Sequence, residues 1–295
     1  MRRLVMAVVA AMTLLATTQG LAWAAAYGNP QLLVDTQWLA AHLNDRDLRI
    51  IDMRNSPEEY AAGHIPGAIY LSVNQIRLAL RESGFALPPD YEIEERLGLL
   101  GITRETMVVA YDDQGGLNAS RLFFTLEYAG HKKVALLNGG FTKWAAEARA
   151  LSKAPPQVRK TVYQVYAETQ RVAPAGWIAT HLGKPNLVLV DARSAAEFRG
   201  EDLRARQGGH LPGAVNIEWT RNLADDKTFK PADELLALYE RVGVTKDKTI
   251  VSYCQTMHRG AVAYFALRLL GYSDVRGYDR SWSEWGNDLT LPVQR

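Results

Sequence analysis

The sequence predicts an α/β protein built from two tandem copies of one domain, each a parallel sheet flanked by helices. The first observation is an internal repeat. The stretch LRIIDMRNSPEEYAAGHIPGAIYL (48–71) returns as LVLVDARSAAEFRG…GGHLPGAVNI (187–217), which sets Asp52 against Asp191 and Gly63-His64 against Gly209-His210. The offset rises from 139 to 146 across this segment, so the second copy carries seven extra residues there. LGLLGITRETMVVAYD (97–112) returns as YERVGVTKDKTIVSYC (239–254) at an offset of 142, and residues 119–144 return as 260–285 at 141. Three matches in one order at a nearly constant offset mark a duplication. The second observation is alternation of strand and helix patterns within each copy, the signature of a parallel sheet covered on both faces. The third is the chain's single cysteine, Cys254, which follows a short apolar run and precedes a helical pattern.

The second copy shows the alternation most clearly. Leu187–Val190 and Thr249–Tyr253 are apolar, β-branched runs of strand length, and Asp274–Arg276 is a third short strand. Ser194–Arg199 predicts a short helix and Ala232–Arg241 an amphipathic one. Gly260–Leu270 repeats apolar residues at helical spacing and stops at Gly271. Between the copies, residues 151–174 open with a Pro pair and read as an extended connector with a β segment at Val162–Tyr166.

The first 26 residues are a separate object. Arg2 and Arg3 precede a short apolar run broken by Thr13, Thr17, Thr18, Gln19 and Gly20, and small residues follow at Ala22-Trp23-Ala24 and Ala24-Ala25-Ala26. That is the layout of a cleaved secretory signal rather than a membrane span. The expected organisation is signal 1–26, first copy 30–150, linker 151–172 and second copy 173–295, with the mature protein periplasmic or secreted. Without the signal, basic and acidic residues number 32 each. Nothing global then draws the chain to nucleic acid or to a membrane. One cysteine in an exported chain forms no internal disulfide, so the thiol is either inert or reactive. Six scattered His and one Cys show no metal-ligand spacing, and no metal is expected.

Ligands of parallel α/β sheets sit beyond the carboxyl ends of the strands, which is where Cys254 falls. The turn from Cys254 to Arg259 aims successive backbone N–H groups inward, and the following helix adds its unpaired N–H groups and positive end. His258 and Arg259 add donors. Such surroundings favour thiolate, and the chemistry requires that the sulfur be reachable. An inert core cysteine would have an apolar counterpart in the first copy, but the counterpart is Asp112. A thiolate in a nest of N–H groups suits phosphate esters or sulfur oxyanions. Phosphate-handling cysteine loops have five residues between Cys and Arg, whereas four separate Cys254 from Arg259. The smaller cradle fits a persulfide sulfur better than a tetrahedral phosphoryl group.

Several motifs together resemble the rhodanese family of sulfurtransferases in its tandem form, over nearly all of residues 30–295. Tyr60-Ala61-Ala62-Gly63-His64-Ile65-Pro66-Gly67-Ala68 resembles the family's amino-terminal signature, and Gly209–Ala214 repeats it. Val275–Trp285 resembles the carboxyl-terminal signature, departing at Arg280 where Gly is usual. The loop Cys254-Gln255-Thr256-Met257-His258-Arg259 is most similar to a bacterial thiosulfate-using type. The resemblance implies that Cys254 takes the outer sulfur of thiosulfate as a persulfide and passes it to cyanide, a thiol or a dithiol. The covalent persulfide takes the place of a cofactor. Gln255, Thr256, Met257, His258 and Arg259 would bind substrate, His258 and Arg259 holding the sulfonate end. Animal-type enzymes resemble Cys-Arg-Lys-Gly at the loop start and carry Arg where Glu197 stands, so those donor-binding cations are missing here. Mercaptopyruvate-type loops resemble Cys-Gly-Ser-Gly, which this loop does not match. The competing functions are a mercaptopyruvate-type sulfurtransferase, a persulfide carrier serving a partner, and a cysteine phosphatase or arsenate reductase.

Asp112 reads as the mark of a copy that kept its fold and lost its chemistry. His64 and His210 belong to turns, where imidazoles satisfy backbone groups. Asp52 with Arg54 and Asp191 with Arg193 read as strand-end caps or ion pairs, and Arg193 is also a candidate substrate-binding residue. Trp219, Trp282 and Trp285 are candidates for the pocket rim. The excess residues 199–208 read as a solvated loop.

Overall fold

The computed structural model describes residues 27–81 and 84–295, so the expected signal, 1–26, lies outside the described residues. The first domain contains β1 (Leu33–Val34), α1 (Thr36–His42), β2 (Leu48–Asp52), α2 (Pro57–Ala62), β3 (Ala68–Tyr70), β4 (Leu78–Leu80), β5 (Gly84–Ala86), α3 (Asp90–Leu99), β6 (Met107–Tyr111), α4 (Leu117–Tyr128), β7 (Val134–Leu137) and α5 (Gly140–Ala146). Its sheet is parallel in the order β1-β7-β6-β2-β3, and β4 and β5 form a separate antiparallel hairpin. The second domain contains α6 (Ala175–His181), β8 (Leu187–Asp191), α7 (Ala195–Arg199), β9 (Val215–Asn216), α8 (Ala232–Glu240), β10 (Thr249–Tyr253), α9 (Arg259–Leu269), β11 (Val275–Gly277) and α10 (Ser281–Trp285). Its parallel sheet runs β11-β10-β8-β9, the first domain's order without the β1 edge. A single bridge between Val172 and Gly277 stands on that edge instead.

The central strands MVVAY and TIVSY are buried along nearly their whole length, as continuous apolar runs of a sheet covered on both faces must be. Pairing of Tyr253 with Asp191 carries β10 to the level where β8 ends. Every expected strand and helix of the second copy is present, with ends displaced by a residue; α9, for example, begins at Arg259 rather than Gly260. The β segment expected at Val162–Tyr166 is absent. The connector is extended there, but its hydrogen bonds go to helix ends, from Thr161 N to Gly98 O and from Tyr166 N to Ala129 O, so no strand edge is available to pair with it.

Helices α4 and α9 pack against each other and fuse the domains. Phe123 meets Phe265 edge-on with ring centroids 4.9 Å apart, and Phe124 meets Tyr264 at 5.1 Å. Fully burying such a side chain contributes about 1.5–3 kcal/mol. Glu127 on α4 accepts from the Tyr264 hydroxyl at 2.6 Å and from Arg268 Nε at 3.1 Å. Both helices are apolar around most of their circumference because each is sandwiched between its own sheet and the other helix. Each of the two follows directly on the loop at its own central strand, and the pairing brings those loops to one interface.

Candidate active site

Strand β10 ends at Tyr253 and α9 starts at Arg259, leaving five residues to turn between them. Met257 takes the left-handed conformation (φ 53°) that its first-domain counterparts Gly115 and Gly116 adopt without a Cβ. It is held there by Ser281, whose hydroxyl accepts from Met257 N at 2.9 Å and from Cys254 N at 3.3 Å and donates to Tyr278 O at 2.7 Å. Ser281 also has a positive φ, 52°, at the position where the first domain has Gly140. Two strained non-glycine residues in contact at one loop are the kind of concentration found at functional sites. The loop is closed by Trp282 N donating to Cys254 O and Ser283 N to Gln255 O.

The first domain shows what this loop is shaped to hold. Asp112 ends β6 as Cys254 ends β10, and its carboxylate turns back into its own loop. Oδ1 accepts from the amides of Gln114 and Gly116, both at 2.8 Å, and Oδ2 from those of Asn118 and Ala119 at 2.8 and 3.0 Å. Each oxygen accepts two N–H groups, the pattern of a fully solvated anion rebuilt from backbone. In the Cys254 loop, among the described residues, the amides of Gln255, Thr256, His258, Arg259 and Gly260 have no hydrogen-bond partner. In the shorter loop, then, the amide of Met257 is taken by Ser281 and most of the others that correspond to the Asp112 set are left unpartnered.

The structure departs from the sequence expectation at several side chains. Cys254 is 1% exposed, so the thiol is at the floor of the loop rather than on an open face. The partly exposed Gln255, Thr256, His258 and Arg259 form its rim. A second sulfur bonded to Sγ would stand about 2.05 Å farther out, toward that rim. His258 is not a cationic donor. Its Nε2 lies 2.6 Å from Asn118 Oδ1 across the domain boundary, and burial, with the positive charges of Arg77, Arg121 and Arg259, lowers its pKa to about 3. Arg259 is already paired, its two terminal nitrogens donating to both oxygens of Glu197 at 2.6 and 2.8 Å. Burial raises the Glu197 carboxyl, but the hydrogen bond and charge of Arg259 outweigh it and leave the pKa at about 2. Burial lowers the Arg259 pKa, and the hydrogen bond and charge of Glu197 outweigh it, so the guanidinium stays charged. Glu197 thus occupies with an ion pair the place where an animal-type enzyme would put a second cation.

Arg193 is 1% exposed and committed elsewhere. Its Nε and Nη2 donate to Asp191 at 2.6–3.0 Å and its Nη2 also to Gly209 O at 2.7 Å. Arg54 repeats the arrangement on Asp52 and Gly63 O in the domain without the cysteine. Both arginines fasten the Gly-His turn to a strand end, a structural duty that takes up Nε and Nη2 of Arg193. His64 and His210 complete those turns, stacking on Tyr60 and Phe198 and bonding the carbonyls of the same residues. Trp282 and Trp285 are core rather than rim, and Trp219 is half-buried. The 199–208 loop is largely exposed and meets the site through Arg204, whose carbonyl accepts from Gln255 Nε2 at 3.0 Å and whose Nε lies 3.5 Å from Glu197 Oε1.

Three contributors come from the domain without the cysteine and were not legible as site residues. Asn118 orients His258. Arg121, three residues along α4, is buried and pairs through Nη1 with Asp279 at 2.7 Å. Arg77 stacks on Phe85 of the β4–β5 hairpin at 3.7 Å, and Gly84 of that hairpin abuts Thr256 and Ser283 closely enough to exclude a Cβ. A cleft of about 720 Å³, lined by Asp35, Lys143, Asp226 and Phe229 among others, shares no residue with the Cys254 loop. Among the described residues no cluster of three or more His, Cys, Asp or Glu is arranged for a metal, and no helix is long and apolar enough to cross a membrane.

A duplicated parallel α/β domain, with a cysteine at the strand-to-helix turn of one copy only, defines the class of tandem sulfur-transfer folds. The profile described as "Rhodanese-like domain" matches residues 35–147 and again 174–288, and the chain belongs to the rhodanese family. It is 36% identical to a thiosulfate sulfurtransferase of Azotobacter vinelandii over 263 residues, covering 89% of this chain and 97% of that one. It is 38% identical to the sulfur carrier protein TtuD of Thermus thermophilus, covering 91% and 98%. It is 30% identical to the 3-mercaptopyruvate sulfurtransferase of Escherichia coli, covering 88% and 97%. Among solved structures it resembles an anaerobic ergothioneine biosynthesis enzyme from Chlorobium limicola with a TM-score of 0.82 and 25% identity, covering 90% of this chain and 70% of that one.

Proposed function

We propose that this protein is a thiosulfate sulfurtransferase working through a persulfide on Cys254. The Cys254 sulfur attacks the outer sulfur of thiosulfate. The new S–S bond forms as the bond to the sulfonate sulfur breaks, and sulfite leaves with the electron pair. An acceptor nucleophile, cyanide or a thiol, then attacks the outer sulfur of the persulfide and restores the cysteine. The observation that carries this reading is the pair of loops: a carboxylate fills the ring of N–H groups in one domain, and in the other the loop that begins at Cys254 keeps its amides without a hydrogen-bond partner among the described residues, that of Met257 apart. Unpartnered amides at a helix N-terminus stabilise the negative charge that the sulfur carries before attack and in the persulfide anion. Charged Arg259, fixed by Glu197, adds a steady positive potential without itself titrating.

The test is steady-state thiocyanate formation from thiosulfate and cyanide. A two-step covalent route gives parallel double-reciprocal lines and no turnover in Cys254→Ala. A protein that loads one sulfur and stalls until a partner is added is a carrier instead, a reading that the similarity to a sulfur carrier keeps as the alternative. We place the mature protein in the periplasm or outside the cell, on the signal-like segment 1–26 alone.

A further inference from the structure

We infer that the domain without the cysteine supplies the anion-binding arginine of the site: Arg121, assisted by Arg77, takes the oxyanion end of the sulfur donor. The inference deepens the proposed function and rests on it for the identity of the anion. Arg121 is 1% exposed, and only one of its guanidinium nitrogens is used, Nη1 on Asp279. Its Nε and Nη2 are buried without a hydrogen-bond partner among the described residues. Leaving a buried charged donor unsatisfied costs more than leaving a neutral one, so a protein retains such a pair of N–H groups where a ligand completes them. Nε and Nη2 form one edge of the planar fork that grips carboxylate, phosphate or sulfonate oxygens.

The charge balance points the same way. Arg77 has no carboxylate partner among the described residues; it is held by Asn74 Oδ1 and the Phe85 ring. Arg77 and Arg121 therefore share a single acid, Asp279, which also accepts from Leu87 N just after the hairpin. Both guanidinium groups act on the His258 ring, and burial and Arg121 lower the Arg77 pKa, so the two lie in one neighbourhood with one positive charge in excess. That neighbourhood adjoins the Cys254 loop: Asn118, one turn before Arg121, bonds His258, and Asp279 lies two residues before Ser281, which holds the Cys254 and Met257 amides. Within the loop, Gln255, Thr256 and Met257 carry no cation, and both terminal nitrogens of Arg259 donate to Glu197, which leaves its charge in place but no free fork for a donor. The free fork that the loop lacks is thus supplied from across the interface.

The experiment uses the full mature chain in a Cys254→Ser background, which can bind a donor without transferring sulfur. Sodium thiosulfate and, separately, sodium sulfite are titrated calorimetrically into this parent and into the same chain with Arg121→Lys or Arg77→Gln. Lysine keeps the charge and the Asp279 partner and removes the free edge of the fork. The expected result is binding of both anions by the parent, weakened at least 10-fold by Arg121→Lys and about 3-fold or more by Arg77→Gln, with melting temperatures close to the parent's. Affinities within twofold of the parent in both variants overturn the proposal, as does a parent that binds neither anion. If Arg121→Lys does not fold, the half-exposed Arg77→Gln decides alone. Sulfite binding that depends on Arg121, in a protein whose wild-type form takes no sulfur from thiosulfate, would sustain the anion site and refute the proposed donor.

Discussion

His258 Nε2 and Asn118 Oδ1 are 2.6 Å apart, so the loop carrying the cysteine is hydrogen-bonded to the helix that follows the other domain's silent loop. Asn118 is fixed in turn, its amide nitrogen donating to Met53 O at 2.7 Å and to Asn55 Oδ1 at 3.2 Å, which leaves its oxygen to accept from an Nε2–H imidazole. The silent domain therefore sets the tautomer and orientation of a residue beside the sulfur.

A neutral His258 has consequences for pH. With a folded pKa of about 3 against an unfolded value near 6.5, the unfolded chain binds the extra proton first. The His258 contribution is thus absent above pH 6.5 and becomes increasingly destabilising as pH falls from there toward 3. Urea unfolding of wild type and His258→Gln across pH 4–7 should show a steeper acid-side loss in wild type. A histidine proton resonance for His258 that titrates near 6.5 would contradict the placement.

The Glu197–Arg259 pair has the same pH slope, stability falling as pH falls, but at neutral pH it adds a favourable contribution that acid removes. Glu197 has a depressed pKa, so its stabilisation is full above pH 4.5 and disappears as pH falls through about 2. The Glu197 side chain is 1% exposed, and removing one partner of a buried pair costs about 3–5 kcal/mol. Glu197→Gln should lower stability by about 3 kcal/mol at neutral pH, with the difference shrinking in acid, as chemical denaturation would report.

Ser281→Ala leaves the Cys254 and Met257 amides without their acceptor, at a cost of about 1–3 kcal/mol. Because Met257 sits at φ 53° only while so held, turnover should fall about 10-fold beyond the loss of folded protein. An alanine variant with wild-type kcat and stability would show that the hydroxyl does not maintain the loop.

Asp112→Ala tests the silent loop in the reverse sense. Four amides lose their acceptor, so the melting temperature should drop sharply, by an amount matching about 2–4 kcal/mol. Turnover per folded molecule should stay within twofold, because Asp112 serves its own loop. A specific loss of kcat with unchanged stability would make it part of the catalytic machinery.

The repeat made the fold legible, since one copy's pattern could be checked against the other's, and the β10–turn–α9 unit around Cys254 followed from local sequence alone. Less was visible where a side chain's partner lies far along the chain. The Asp191–Arg193 pair was readable as a strand-end ion pair, with Arg54 in the silent copy repeating it, whereas the bond to the Gly209 carbonyl, 16 residues on, was not. Arg259 looked free because nothing local announced that Glu197, 62 residues earlier, lies within 2.6 Å. Ser281 carried one signal, its place in the signature segment next to the departure at Arg280. Arg77, Asn118 and Arg121 carried none, because their position depends on how α4 packs on α9. The expected strand at 162–166 failed because β-branched and aromatic residues favour an extended backbone without supplying a neighbour to pair with; Val162 and Tyr166 are exposed.

The most direct measurement is the intact mass of the mature protein after incubation with thiosulfate and removal of excess donor. A gain of one sulfur atom, discharged by cyanide with release of thiocyanate and absent in Cys254→Ala, is the predicted result. An unchanged wild-type mass, or an equal gain in Cys254→Ala, would contradict a persulfide carried on this cysteine.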